Sequence, residues 1–292
     1  MEISKLDKSN QGEVNKINTF INKVFCENRD LKEQMDSSIS AKFHKGIYSV
    51  QKDEEILVVA STHKSTWHPN CIYIRLAYNL DRIDELALQS MITELMNIYD
   101  QPLFFLLDNR FHQVKELLTR NHFRMIRKTE IIHINPILPK GEIGQDEQIL
   151  SVRKICTNEA IMHSFVQLCK KTYTETHTDN PVANLPIESW RQAAMDGLME
   201  EHSYVIVNGL QVTGFSLMYK YDEKVWELGW IGVDDISRIN DLDKLIHKQL
   251  EDAAKNRISF IEKEVDSTCP YSLHICDSVE YKVSETLYAY LK

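Results

Sequence analysis

The chain has 292 residues, of which 43% are hydrophobic, enough apolar material for one large or two ordinary domains. Its formal net charge of −9 disfavours nucleic acid or an anionic membrane as the main partner, because phosphate recognition needs clustered Lys and Arg. Apolar runs such as 102–107 are only strand-length, and the first residues lack a signal-peptide core, so we expect a cytoplasmic protein without a membrane span.

The six cysteines are scattered without a CxxC motif, and the histidines of the second half show no HxxxH or HExxH spacing. We therefore expect neither a disulfide framework nor a metal site, and a reducing compartment.

The first half alternates helical and strand patterns in a definite order. Apolar residues recur at helical spacing from Val14 to Phe25, whereas later segments carry short β-type apolar runs. The predicted elements are a helix over 12–30, strands over 46–50, 55–60 and 71–78, a helix over 83–98, a strand over 103–107, a helix over 114–118, and a strand or hairpin over 125–134.

The second half repeats this order. The predicted elements are a strand over 149–156, helices over 158–173 and 187–199, a hairpin of 203–207 and 212–219 across Asn208-Gly209, a strand over 225–233, a helix over 242–254, and strands over 258–265 and 281–291. The repeat length is about 157 residues.

A stretch over 135–146, with two prolines and two glycines, separates the halves. We predict an N-terminal domain over 1–137, a linker over 138–147 and a C-terminal domain over 148–292.

Four segments carry a family resemblance. Glu227-Leu-Gly-Trp-Ile-Gly-Val233 resembles the fourth strand of the GNAT fold of CoA-dependent N-acyltransferases, and Arg238 falls where that family's (Q/R)-x-x-G-x-(G/A) pyrophosphate loop begins. Residues 270–281 resemble its last helix and 186–191 the second helix of tandem members. The resemblance implies an α/β (α+β) protein with two tandem GNAT-like domains, similar to mycothiol-synthase-like proteins. Each domain is expected to hold a mixed, mostly antiparallel twisted sheet flanked by helices.

The resemblance also implies acetyl-CoA, or another acyl-CoA, as co-substrate, without a metal. In such folds the fourth strand parts from the fifth, and the pantetheine pairs with its open backbone, here at Ile231, Gly232 and Val233. The pyrophosphate would lie at Arg238 and Asn240, because helix N-termini favour anions.

Two aspartates stand where the pyrophosphate loop of the family has glycines. Asp241 and Asp243 would each place a carboxylate near a phosphate, with a repulsion on the order of 1 kcal/mol. In the structural alternative, Asn240 or Asp241 caps the following helix and Asp243 lies in its first turn. The corresponding loop of the first half, 79–85, has no glycine, so we expect a scaffold or substrate-wall role there and no CoA site.

Two residues are the catalytic candidates. Glu227 matches a position where several GNAT enzymes carry a glutamate that helps to deprotonate the amine, and the neighbouring Trp226, Leu228 and Trp230 could raise its pKa by desolvation. The alternative is a solvent-facing strand glutamate. Cys276 lies near the position of the general acid that protonates the leaving thiolate, with a buried helix residue as the alternative.

Three further residues are weaker candidates. His274 is a second choice for the acid, or simply an exposed side chain. Tyr173 and Trp190 are expected near the acceptor site, with a plain loop and a core tryptophan as the respective alternatives.

We predict an acyl-CoA-dependent N-acyltransferase that acetylates a small-molecule amine, with the C-terminal domain as the active copy. The alternative is a GNAT-fold binding or structural module that has lost CoA binding. A third interpretation, an aminoacyl-tRNA donor, is disfavoured by the acidic net charge. The loop over 238–243 favours the module, whereas the strand over 227–233 favours the enzyme.

Overall fold

The computed structural model describes residues 1–137 and 148–292, so the predicted linker over 138–147 lies outside the described residues. The chain forms two compact units. The N-terminal unit comprises Met1–Arg127, Asp179–Ala183 and Leu287–Lys292, and the C-terminal unit comprises Lys128–Thr178 and Asn184–Thr286. The domain limits at 137 and 148 remain predictions.

The N-terminal unit is built on a sheet in the order β1-β2-β3-β4-β5, with the end of the last strand beside β5. Strands β4 and β5 are parallel, and the other described pairs are antiparallel. The elements are β1 (Glu2–Lys5), α1 (Gln11–Val24), α2 (Arg29–Ser40), β2 (Phe43–Lys52), β3 (Glu55–Lys64), β4 (Ile72–Tyr78), α3 (Glu85–Ile98), β5 (Leu103–Leu107) and α4 (His112–Arg120). The next strand, β6 (Arg124–Ile134), lies mostly in the C-terminal unit, which begins at Lys128.

The C-terminal unit has the sheet order β6-β11-β10-β9-β8-β7, with one parallel pair, β10 and β11. Its elements are β7 (Ile149–Ser151), α5 (Val152–Ile155), α6 (Glu159–Thr176), α7 (Ile187–Met195), β8 (Tyr204–Asn208), β9 (Gln211–Lys220), β10 (Val225–Val233), α8 (Asp241–Lys255), β11 (Phe260–Asp266), α9 (Pro270–Ser278) and β12 (Tyr281–Leu291).

Each sheet is mixed and mostly antiparallel and is flanked by helices, so the predicted fold class is confirmed. The helical stripe predicted over 242–254 is α8, whose apolar face is buried with Leu242, Leu245 and Leu250 in the core of the C-terminal unit. Asn158, as predicted for a helix start, caps α6 by accepting from the Ala160 and Ile161 amides.

One local prediction was wrong, and two elements were missed. The strand expected over 149–156 ends at Ser151, and Val152–Ile155 form a helical turn because Val152 and Ile155 both point into the core. Helix α2 was missed because only three of its twelve residues, Leu31, Met35 and Ser38, are buried and most of the others are polar. Strand β1 was missed because neither of its ends is buried.

Candidate active site

Strand β10 pairs over a longer stretch with one neighbouring strand than with the other. It pairs antiparallel with β9 up to its last residue, and the register shifts between Leu228 and Ile231, so that the two intervening residues bulge. With β11 it pairs in parallel only at its first three residues, ending at Glu227. Beyond Glu227, no described residue of β10 pairs with a residue of β11, and the two strands diverge.

The residues predicted to hold a pantetheine lie on this parted stretch. Ile231, Gly232 and Val233 are buried and still pair with β9 on the other side. Gly232 packs so closely on α6 that an added Cβ would lie 2.6 Å from Thr172 Cγ2. The parting of strands, which the resemblance requires, is therefore present beside all three residues.

A tyrosine ring covers the bulge. A Cβ on Gly229 would lie 2.4 Å from Tyr219 Cε2, closer than real Cβ contacts allow. The Tyr219 hydroxyl donates to the Ala194 carbonyl at 3.0 Å, which fixes the ring over the glycine. Glycine is required at position 229 because of this packing.

A lysine side chain crosses the opening between the strands. Lys263 lies on β11, and its Nζ donates to the Gly229 carbonyl on β10 at 2.8 Å. The residue is only 7% exposed. A buried ammonium needs such a partner, because its burial without a hydrogen bond costs several kcal/mol. Lys263 thus binds a backbone carbonyl in the same opening that a pantetheine would enter.

Glu227 is half-buried at the point where the strands part. Burial raises the pKa of its carboxyl above the ordinary value, Lys263 opposes the shift, and the neighbouring Glu262 adds to it. A raised pKa brings a carboxylate closer to the acid–base range useful at neutral pH. The catalytic role of Glu227 and the alternative of a solvent-facing strand glutamate both stay predictions.

Glu227 belongs to a row of polar residues across four strands. Its registered partners are Tyr219 on β9 and Glu262 on β11, and Glu262 is in register with His133 on β6. Residues directly opposite one another in adjacent strands share a face of the sheet. The His133 Nε2 lies 3.3 Å from a Glu262 carboxylate oxygen.

Cys276 lies on α9, is half-buried and packs against the apolar core of the C-terminal unit. Burial raises the pKa of its thiol, and a hydrogen bond with Tyr281 opposes the shift. The sulfur is therefore a neutral thiol near neutral pH. A thiol can donate a proton, and the same packing equally fits the structural alternative.

The predicted pyrophosphate loop is held by internal ion pairs. The Arg238 guanidinium lies 3.0 Å from the Asp241 carboxylate and 3.6 Å from that of Asp234. Asp241 also lies 3.3 Å from the Lys244 ammonium. Asn240 occupies the N-cap position of α8 but makes no side-chain capping hydrogen bond. The cap expected from Asn240 or Asp241 is therefore not formed.

The second aspartate of the loop is bound by α9. Asp243 accepts from Ser278 Oγ at 2.6 Å and lies 2.9 Å from His274 Nε2. His274 is therefore not an exposed side chain, and its role as a second choice for the acid stays a prediction. These contacts fix a carboxylate in the first turn of α8, where a phosphate would need to lie.

The loop residues do not fit a diphosphate. The one arginine is already shared between two carboxylates, and both aspartates at the start of α8 are hydrogen-bonded or ion-paired in place. An incoming phosphate would meet the carboxylates of Asp241 and Asp243 at the start of α8.

The predicted acceptor residues lie in an aromatic cluster. The Tyr173 ring centroid is 5.5 Å from Trp190 and 5.2 Å from Trp230, and His177 stacks on Tyr173 at 4.0 Å. Trp190 is fully buried, whereas the other three rings are half-buried. Because Trp230 is a residue of the bulge, the cluster joins Tyr173 to the strand that carries Glu227. Trp190 itself is a core residue.

Sequence reasoning missed Lys263, Glu262 and His133. One signal was available: Lys263 alternates with Ile261 and Val265 on the buried face of β11, where a lysine is unusual. No sequence signal placed His133 beside Glu262, because that pairing depends on the register of two strands far apart in the chain.

No family model matches the chain, and no curated protein matches it. Among solved structures, a GCN5-related N-acetyltransferase from Sphaerobacter thermophilus is similar with a TM-score of 0.60 at 13% identity, covering 95% of this chain and 91% of that one. A tandem GNAT protein from the clavulanic acid biosynthesis pathway is similar with a TM-score of 0.57 at 11% identity, covering 100% and 98%. A GNAT-family acetyltransferase from Colwellia psychrerythraea is similar with a TM-score of 0.53 at 9% identity, covering 100% of this chain and 99% of that one.

These likenesses span the whole chain and establish its fold: the protein has a tandem GNAT fold. The predicted resemblance is thereby confirmed at the level of architecture. Within the described residues, the structure contains no helix that is long and apolar enough to span a membrane.

Proposed function

We propose that the protein is an N-acyltransferase and that its C-terminal unit transfers an acyl group, acetyl in the simplest case, to a small-molecule amine. The observation that carries the proposal is the parting of β10 from β11 directly beyond the half-buried Glu227, next to a bulge. This combination supports the proposal because a half-buried carboxyl lies next to a stretch of β10 beyond its paired segment with β11. The fold likeness to acetyltransferases supports the same reaction class.

Glu227 would act on the acceptor. An aliphatic amine is an ammonium at neutral pH and must lose a proton before its nitrogen can attack a carbonyl carbon. Burial, reinforced by Glu262, raises the pKa of Glu227, which makes the carboxylate a stronger proton acceptor. Tyr173 and Trp230 would form an apolar wall for the acceptor.

Acyl-CoA is the donor that the fold implies, and a thioester would supply the activated acyl group. The loop at the start of α8 does not accept a diphosphate as arranged, so we expect weak acetyl-CoA binding, held chiefly by the parted stretch of β10. The Gly229 carbonyl already accepts a hydrogen bond from Lys263 Nζ, so a pantetheine amide that donates to the same oxygen would share it with the lysine.

The second candidate function is a binding or structural module without catalysis. Two observations favour it: Asp243 is held by Ser278 and His274, and Lys263 lies across the opening. Each replaces a contact that a CoA thioester would otherwise make.

Calorimetric titration with acetyl-CoA to millimolar concentration, combined with thermal unfolding, tests the proposal. Ligand at 100 times Kd would stabilise the fold by about 2.7 kcal/mol and raise Tm by about 5–10 °C. Release of free thiol that depends on an added primary amine would then establish transfer. No heat, no shift and no thiol release would leave the non-catalytic module as the better account.

A further inference from the structure

We infer that Glu262 and His133 act through Glu227, forming with it a row that carries the proton of the acceptor from the half-buried site to solvent. The inference rests on the proposed transferase function. Glu262 and His133 are positioning residues in this scheme, because neither is required to touch the substrate.

The register of three strands builds the row. Glu227 on β10 is opposite Glu262 on β11, and Glu262 is opposite His133 on β6. Adjacent strands lie about 4.8 Å apart, so each side chain is next to the following one on one face of the sheet. The His133 ring stacks on Phe260, with ring centroids 4.0 Å apart, and this packing orients its Nε2 toward Glu262.

The exposed fractions of the side chains indicate at which end the row reaches solvent. On the β9 side, Glu227 faces the Tyr219 ring, whose hydroxyl is tied to a backbone carbonyl. On the other side, the side chains of Glu262 and His133 are 26% and 34% exposed. A proton taken up at Glu227 therefore reaches water more directly through Glu262 and His133 than past Tyr219.

The proton balance is simple. The acceptor ammonium loses one proton to the Glu227 carboxylate and becomes a neutral amine. The Glu227 carboxyl passes the proton to the Glu262 carboxylate, which passes it to His133 Nε2, and the imidazolium releases it to bulk water. The row returns to its starting charge, and no oxidant or further reactant is needed.

Among the described residues, two charged groups act on the pKa of Glu227. Lys263, from the opposite face of β11, favours the ionised form of Glu227, and Glu262 disfavours it. In the N-terminal unit the positions of Glu227 and Glu262 hold Ile74 and Phe105, so the row is not a requirement of the fold.

The first experiment tests the electrostatic coupling between Glu227 and Glu262. It follows the carbon-13 chemical shift of the Glu227 carboxyl carbon against pH in the full chain, labelled with carbon-13 glutamate. Glu262→Gln removes a like charge and is expected to lower the Glu227 midpoint by about half a pH unit. Glu264→Gln, on the same strand and face but outside the row, is the matched control. An unchanged midpoint in Glu262→Gln would overturn the inference, whatever the activity.

Proton transfer is tested by thiol release from acetyl-CoA with spermidine, tyramine and lysine amide as acceptors. In dilute buffer, Glu262→Gln and His133→Gln are expected to lower kcat about tenfold with unchanged KM. Added triethanolamine, a tertiary amine that accepts a proton but cannot form an amide, is expected to restore most of the rate. Loss without such rescue would mean a structural role and would overturn the inference.

The two proposals fail in different ways. Wild-type protein that releases no thiol with any of the three amines contradicts the transferase function, even where the carboxylates are coupled. Wild-type turnover together with an unshifted Glu227 midpoint or unrescued variants contradicts the proton row alone.

Discussion

The two units share a strand arrangement but differ in the side chains at the point where their parallel strands part. In the N-terminal unit, the parallel pair β4–β5 also stays in register for three residues, ending at Ile74 and Phe105. The row through that point consists of buried residues with no carboxylate: Thr62, Ile74, Phe105 and Tyr290. The corresponding row of the C-terminal unit consists of Tyr219, Glu227, Glu262 and His133.

The opening beyond each parallel pair differs as well. In the N-terminal unit the Arg75 guanidinium, on β4, donates to the Leu106 carbonyl on β5 at 3.0 Å. In the C-terminal unit the donor is Lys263 on β11 and the acceptor Gly229 on β10. Both units thus bridge the parting strands with a cation, but only the C-terminal unit places a carboxylate at the end of the paired segment. The comparison favours the C-terminal unit as the copy that performs the proposed acid–base chemistry.

Glu227→Gln is expected to produce the largest functional effect. Glutamine keeps the shape but cannot accept a proton, so kcat/KM for amine acetylation should fall about 100-fold or more. Thiol release from acetyl-CoA measures the loss, with Glu264→Gln as the control that retains wild-type rates. Equal rates for Glu227→Gln and wild type would remove the functional distinction between the two rows.

Exchanging the chemistry of the rows is expected to have opposite effects on stability. Ile74→Glu buries a carboxylate without a partner and should destabilise the fold by about 3 kcal/mol or more. Glu227→Leu replaces a half-buried carboxyl with an apolar side chain and should leave stability unchanged or increase it. Urea unfolding measures both, and similar losses for the two variants would argue against the contrast between the rows.

Gly229→Ala tests the packing at the bulge. The added methyl would overlap the Tyr219 ring and should cost about 1–3 kcal/mol of unfolding free energy. The same change combined with Tyr219→Ala should cost less than the sum of the two single changes, because the clash is gone. Strict additivity in this double-mutant cycle would show that the ring does not cover Gly229.

Asp241→Gly combined with Asp243→Gly tests the loop. Removal of two carboxylates from the start of α8 should tighten acetyl-CoA binding, on the order of tenfold, in calorimetric titration. Lys244→Gln, which removes a cation at the same helix turn, should not tighten it. Unchanged or weaker affinity in the double variant would mean that the donor does not reach this loop.

The smallest expected effect is on the pH dependence of stability. The folded protein holds the Glu227 proton more tightly than the unfolded chain, since burial raises the pKa above its ordinary value of 4.5. Stability should therefore fall as pH rises from that value through the raised pKa, and Glu227→Gln should flatten this fall. Urea unfolding over this pH range measures the slope, and an unchanged slope would contradict the raised pKa.

The sequence predicted the architecture because its strongest signals are local. Strands 103–107 and 225–233 coincide with β5 and β10, since each is a short apolar run between clear breaks. The segment over 152–155 was mispredicted as strand because four residues are too few to show helical periodicity.

The site was predictable only in part. Glu227 was identified through its motif, and Asp241 and Asp243 through their place at a helix start. Their partners, His274 and Lys244 among them, follow from packing, and Glu262 and His133 follow from strand register. Sequence spacing cannot supply register between distant strands, because a shift of one residue reverses every side chain.

Hydrogen–deuterium exchange with and without millimolar acetyl-CoA tests most directly the claim that the chemistry belongs to the C-terminal unit. The account predicts slower exchange in peptides covering β10 and β11, around Gly229–Val233, and no change in β4 and β5. Protection of β4 and β5, or of neither strand pair, would contradict it.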